Sequence, residues 1–291
     1  MPTESQNMYD NPEFFAEYGS LPRSQHGLAA APEWPTLEDM IVNPKSSPTG
    51  PSEKPLKGSR ILDLGCGYGW FVRWAREKGA AYVKGVDISE NMINRAKGFD
   101  AEMNHQTRNG VVVVGPATEV IIEIHDLETI DLNHSHEHGL YDIVYSSLAF
   151  QYIEDIVRLF RQIHGCLRKG SSHGQRGRLI FSVEHPIVTA PVNPTPGYRV
   201  IREASEDWKL WPLNSYSSEG LRLTSWLGAE GVRKYHRIVE TYVTALLENG
   251  FVLTGLRKWC PSKEDATGLA KSKNIEGHRP NFLLISAEVR E

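Results

Sequence analysis

Residues 61–71, ILDLGCGYGWF, constrain this chain more than any other stretch. A short apolar run ends in Asp63 and Leu64. Glycines follow at 65, 67 and 69, and a helical pattern starts at Trp70. Glycine at such positions permits left-handed backbone and lets a ligand approach the main chain, which a Cβ would prevent. A strand that runs through a tight turn straight into a helix opens an α/β sheet, and ligands in such sheets bind at the carboxyl ends of the strands.

The same alternation continues downstream. Residues 82–87 read as a second strand, with Ser89 placed to cap the helix that follows. Residues 120–125 and 141–146 read as the third and fourth strands. Ile156, Leu159, Phe160, Ile163 and Leu167 repeat at helical spacing, and residues 178–183 form a fifth strand. Residues 232–248 are expected to be one helix with a stripe through Tyr235, Val239, Tyr242 and Leu246, stopped at Asn249-Gly250. Residues 251–256 and 282–289 supply the last two strands. The expected architecture is a Rossmann-like α/β fold: seven mostly parallel strands with helices on both faces, in a single domain. Residues 1–58 would form an N-terminal lid and linker, 59–186 the core, 187–233 a cap over the strand ends, and 234–291 the final helix and two strands. Residues 43–59, about 104–117 and 170–177 have the composition of surface insertions.

The charges at the predicted strand ends indicate the ligand. The glycine spacing is G-x-G-x-G behind an acid, not the G-x-G-x-x-G that seats a pyrophosphate on a helix N-terminus. Asp63 beside the turn would repel a pyrophosphate and suits an ammonium. Asp87 closes the second strand, where a carboxylate can accept from both hydroxyls of a ribose. Asp126 follows the third strand, within reach of an adenine amino group. These segments, with YDIVYSSLAFQYIED from Tyr141, resemble motifs I to IV of the class I S-adenosylmethionine (AdoMet)-dependent methyltransferases. The resemblance implies AdoMet as cofactor and S-adenosylhomocysteine (AdoHcy) as product. It implies Asp87 on the ribose, Asp126 on adenine, a backbone contact from Leu127, and Ser146 and Ser147 beneath the methionine moiety. It extends the cofactor set to Gly65, Cys66, Gly67, Ile88, Met92 and Tyr152. Arg23 is the expected bidentate partner of the methionine carboxylate, with Tyr18 and Tyr9 closing the lid.

The flanks, YDNPEFFAEYGSLPRSQHGLAAAPEW, FSVEHPIVTA, KYHRIVETYVTALLENGF and RPNFLLISA, resemble a subgroup of these enzymes. That subgroup includes the fungal thiol methyltransferases that S-methylate reduced epipolythiodioxopiperazines such as dithiol gliotoxin, a role in secondary metabolism. Phe15, Trp34, Trp208, Trp211, Trp226 and His236 are the expected acceptor contacts, in an apolar pocket that excludes water. His185, after the fifth strand, is the candidate base or orienting group, with a backbone-bonded loop histidine as the competing reading. His236 reads equally as a satisfied buried histidine. A thiol of pKa near ~8.5 ionises without a strong base. O- or N-methylation of another small metabolite stays open, as does a non-catalytic AdoMet-binding role.

Composition removes other classes. Net charge is −4 and no Lys/Arg run is long enough for nucleic acid. No stretch has the ~20 apolar residues of a membrane span. Cys66, Cys166 and Cys260 suit reduced thiols, and the N-terminus lacks signal-peptide features, so a cytoplasmic location is expected. The partner is a small-molecule acceptor, and the chain is expected to be a monomer or homodimer. His134, His136 and His138 lack a second ligand cluster at zinc spacing, so no metal is assigned.

Overall fold

In the computed structural model, the described residues are 5–44, 53–108, 118–133, 139–170, 176–192, 199–203, 206–210, 213–260 and 279–290. Three helices open the chain: α1 (Pro12–Ser20), α2 (Pro22–His26) and α3 (Trp34–Val42). Then come β1 (Arg60–Leu64), α4 (Trp70–Glu77), β2 (Tyr82–Asp87), α5 (Glu90–Arg108), β3 (Glu119–Ile124), β4 (Ile143–Ser147), α6 (Ile156–Cys166), β5 (Arg178–Glu184) and α7 (Pro186–Thr189). Two hairpins follow, β6 (Arg199–Glu203) with β7 (Glu206–Leu210) and β8 (Gly220–Trp226) with β9 (Ala229–His236). The chain closes with α8 (Val239–Glu248), β10 (Phe251–Trp259) and β11 (Phe282–Val289).

The main sheet has seven strands in the order β10-β11-β5-β4-β1-β2-β3. All neighbouring pairs are parallel except those that β11 makes with β10 and β5. This is the expected seven-stranded, mostly parallel architecture. Its inner strands are buried on both faces, adjacent residues pointing to opposite sides, while the edge strands β3 and β10 are partly exposed. Leu62, Val144, Phe181 and Ile285 pack with Phe160 and Ile163 of α6 and Leu246 of α8. Ile61, Ile143, Ile180 and Leu284 pack on the other face with Ile41 of α3, Phe71 of α4 and Ala96 of α5. Each such large side chain contributes roughly 1.5–3 kcal/mol when fully buried. Strand order reverses between β1 and β4, which places the switch point directly beyond the glycine turn.

The single helix expected over 232–248 is corrected. Residues up to His236 belong to β9, and α8 begins only at Val239. Val232, Lys234 and His236 are buried at alternate positions, a period of two that the helical stripe through Tyr235 conceals. Leu227 and Gly228, both at positive φ, make the two-residue turn joining β8 to β9. The third and fourth strands lie within one or two residues of expectation, and Tyr141 makes only an isolated bridge to Leu167. Most of the insertions at 43–59, 104–117 and 170–177 fall outside the described residues.

Candidate functional site

The glycine turn is bolted to the second strand. The Gly65 and Cys66 N–H groups both donate to the Val86 carbonyl, at 2.8 and 2.9 Å. Gly65 and Gly67 have φ of 79° and 49°. A Cβ on Gly65 would come within 2.6 Å of the Ala149 Cβ, whereas one on Gly67 would meet nothing within 4 Å. The first glycine is therefore required by the protein's own packing, and the second leaves its main chain open to a ligand. Gly67 donates its N–H to one Asp87 oxygen at 2.9 Å, and Ser89 donates to the other at 3.0 Å. Asp87 thus joins the turn to the start of α5, with the Ile88 N–H as a further partner, and keeps some acceptor capacity.

Asp63 is only 2% exposed, and its carboxyl has no hydrogen-bond partner among the described residues. Burial, and then the charge of Asp87, push its carboxyl well above the usual range. Burial raises Asp87 as well. Two desolvated carboxyls without a cation favour a positively charged ligand. At the third strand end, Asp126 accepts the Glu128 N–H at 2.9 Å and retains acceptor capacity.

These strand ends border a cavity of about 920 Å³, near the top of the roughly 300–1,000 Å³ range of small-molecule sites. Its lining includes Asp87, Ile88, Met92, Asp126 and Leu127 at or after the ends of β2 and β3, Ser147 and Tyr152 at or after the end of β4, and Tyr18, Arg23 and Trp226 from the N-terminal segment and the second hairpin. A smaller void of about 90 Å³ adjoins it, bordered by Asp63, Gly65, Cys66, Gly67, Arg23 and Trp34. The N-terminal strap is fastened over the cavity by Asp10, which accepts Ser89 Oγ at 2.5 Å and the Asn91 N–H at 3.0 Å at the start of α5. Tyr9 then lines the cavity, hydrogen-bonded to Tyr152 and edge-on to Tyr18 and Trp226. Burial raises the pKa of all three tyrosines, so they present neutral phenols.

Several sequence expectations are corrected here. His185 does not line the cavity. Its Nδ1 accepts the Ile187 N–H at 3.2 Å as the N-cap of α7, and burial, then Lys258, hold its pKa at about 4. His236 is fully buried between the Thr189 hydroxyl and the Tyr216 carbonyl, both at 2.8 Å, also away from the cavity. Ser146 donates to the Leu64 carbonyl at 2.7 Å inside the sheet, so its neighbour Ser147 is the one at the cavity. Phe15 packs edge-on against Tyr68 without lining either space. The Trp208 side chain, Trp211, and His134, His136 and His138 lie outside the described residues.

Sequence reasoning missed the pair at the end of β5. Glu184 accepts from Lys234 Nζ at 2.8 Å, and both line the cavity beside Trp226 and Phe282. The signal was present in the acid of Glu184-His185-Pro186, one residue before the position chosen. Arg23 pairs with the buried Glu33, another partner not anticipated.

Comparison with known proteins bears on this site. Residues 47–183 match the methyltransferase domain family. A Haemophilus influenzae protein is 30% identical over 281 residues, 97% of this chain and 96% of its own. A crystal structure of an S-adenosylmethionine-dependent methyltransferase from Mesorhizobium loti is 37% identical, covers 90% of this chain and 100% of that one, and has a TM-score of 0.68. The chain belongs to the AdoMet-dependent methyltransferases. Its cofactor is AdoMet. The magnesium protoporphyrin IX methyltransferase of Synechocystis with bound AdoHcy shares the fold at 16% identity, covering 97% of this chain and 96% of that one with a TM-score of 0.53. The residues present are compatible with that cofactor: Asp63 is a buried acid that would suit an ammonium, Gly67 leaves its main chain open, and Asp87 is an acid that would suit hydroxyl groups. Bound AdoMet supplies an electrophilic methyl group on a sulfonium. No helix among the described residues is long and apolar enough to cross a membrane. No cluster of three metal-ligating side chains occurs among them.

Proposed function

We propose that this methyltransferase S-methylates a thiol of a compact small molecule, with a reduced epipolythiodioxopiperazine as the acceptor suggested by its flanking segments. In this reading Asp63 and Arg23 hold the two charges of the methionine end, Asp87 the ribose, and Asp126 with Leu127 the adenine. Ile88, Met92 and Tyr152 complete the enclosure. The acceptor enters beneath Tyr9, Tyr18 and Trp226.

The supporting observation is the makeup of the cavity wall. Among the described residues its lining contains no histidine, and beside the rings of Tyr9, Tyr18, Trp226 and Phe282 it carries the Glu184–Lys234 pair together with Arg233 and Glu154. A nucleophile that ionises by itself near neutrality suits such a wall, and a thiol of pKa near ~8.5 does so. The protein's tasks are then alignment of sulfur with the methyl carbon and exclusion of water. Glu184 favours a second reading, an oxygen or nitrogen acceptor whose proton the carboxylate takes.

Methyl-labelled AdoMet, offered with reduced dithiodioxopiperazine, simple thiols, phenols and amines, separates the two. Labelled thioether, with a mono-S-methyl species preceding the bis-methyl one, is the expected product. Turnover of phenols or amines with none of the thiols would end the thiol reading and leave the cofactor assignment standing.

A further inference from the structure

The small void beside Asp63 contains a second buried acid that no motif marks. Glu33 stands at the start of α3 and is only 1% exposed. Its Oε1 accepts from Arg23 Nη2 in a close ion pair. Its Oε2 is buried and has no hydrogen-bond partner. The indole Nε1 of Trp70, on the wall of the same void, is also buried and unpartnered. Glu33, Asp63 and Arg23 all border this one space of about 90 Å³, together with the glycine turn.

A half-satisfied buried carboxylate is costly, and natural proteins keep one where a ligand or water completes it. One guanidinium, paired with Glu33, and two carboxylates line the same void, and Oε2 of Glu33 is still without a partner. An α-amino acid complements that set, because its carboxylate faces the guanidinium and its ammonium has three donors to distribute. Local packing holds the arrangement rigidly. Gly27, at φ 67°, lets the strap come so near the Trp70 ring that a Cβ there would lie 2.5 Å from it. Arg23 also lies over the Phe282 ring, 6.0 Å from its centroid.

We propose that Glu33 makes this pocket selective for the amino-acid end of the cofactor: Oε1 positions Arg23 for the carboxylate, and Oε2 joins Asp63 in receiving the ammonium. The inference rests on the assignment of Arg23 to the methionine end given above. It makes the loop between α2 and α3 part of the cofactor site, although that segment lies outside the span shared with the methyltransferase domain family.

Two ligands test it by calorimetry. AdoHcy carries the amino-acid end, and 5′-deoxy-5′-methylthioadenosine keeps the nucleoside and sulfur without it. Glu33→Gln should weaken AdoHcy by about tenfold to a hundredfold while methylthioadenosine stays within about threefold of wild type. Glu33→Asp, which keeps the charge but shortens the reach, should show the same selectivity in smaller measure and guards against a misfolded Gln variant. Equal losses for both ligands would make Glu33 a purely structural residue and overturn the proposal, as would unchanged AdoHcy binding in both variants. Arg23→Ala separates the underlying assignment. If it binds AdoHcy like wild type while Glu33→Gln does not, Arg23 leaves the carboxylate and Glu33 remains on the ammonium.

Discussion

Replacing Asp87 by alanine tests the cofactor site most directly, because the side chain has two separable roles. In the protein alone it accepts the Gly67 and Ser89 N–H groups at 2.9 and 3.0 Å. The Ile88 N–H is a further partner, and on the proposed reading the remaining acceptor capacity serves the ribose hydroxyls. Hydrogen bonds to a charged group contribute roughly 1.5–3 kcal/mol each, so two of them give about 3–6 kcal/mol, or about 10²–10⁴ in affinity. The folding term is smaller than two lost backbone partners suggest. Burial already raises the Asp87 pKa, so removing the carboxyl also relieves a desolvated charge. The expected protein is folded, modestly less stable, and at least about 10²-fold weaker for AdoHcy by calorimetry. A ligand lacking the 2′-hydroxyl separates the roles. It should bind wild type less well than AdoHcy does and lose much less than AdoHcy on mutation. A folded Asp87→Ala protein with wild-type affinity, or equal losses for the two ligands, would refute the ribose assignment.

The raised pKa values of Asp63 and Asp87 make cofactor binding pH-dependent, since the ammonium favours the ionised carboxyls. AdoHcy affinity should fall as pH drops below those raised values, by up to about tenfold per unit for one proton, with proton release seen as buffer-dependent heat; a flat profile would contradict it. His185→Asn should leave kcat/KM near wild type, because the ring caps α7 instead of facing the cavity. The folded pKa of His185, about 4, lies below the ordinary 6.5, so its stabilising contribution is full above 6.5 and lost as pH falls towards 4. The Asn variant should therefore show a flatter acid limb in thermal melts over that window, and a large loss of rate would restore His185 to the chemistry. Glu184→Gln should lower the rate only slightly with a thiol acceptor and by about 10²–10⁴ with an acceptor whose proton it takes, AdoHcy affinity being unchanged in both cases.

The parts of this molecule that could be read from sequence are those whose signal is local. A parallel strand buried on both faces is a compact apolar run, and a turn needing positive φ at alternate residues shows its glycines, so β1, β2, β5 and their connections stood out. The hairpin β8–β9 did not, because Val232, Tyr235, Val239, Tyr242 and Leu246 satisfy a helical spacing while Lys234 and His236, buried in the cap, hide the strand alternation. His185 and Glu184 show a related ambiguity. Neighbours at a strand end diverge, and only the phase of the pleat places the acid at the cavity and the imidazole on α7. Arg23 was expected at the cavity and lines it, but Glu33 was not foreseen, since a buried ion pair across two short helices has no periodic signature.

The span that matches the methyltransferase domain family supplies only part of the cavity wall. The span matching the methyltransferase domain family, residues 47–183, contains Asp63, Asp87, Asp126, Ser147 and Tyr152, and ends one residue before Glu184. The remaining cavity walls come from elsewhere: Tyr9, Tyr18 and Arg23 from the N-terminal strap, Trp226 and Lys234 from the hairpin, and Phe282 from β11. On the proposed reading, the sheet ends would form the cofactor cradle, and the strap and hairpin the wall that meets the acceptor. Acceptor choice can change through strap and hairpin residues while the glycine turn and its three acids stay fixed. By the same logic Glu33, although it lies in the strap, should follow the cradle and not the acceptor, because its partners are Arg23 and the void beside Asp63.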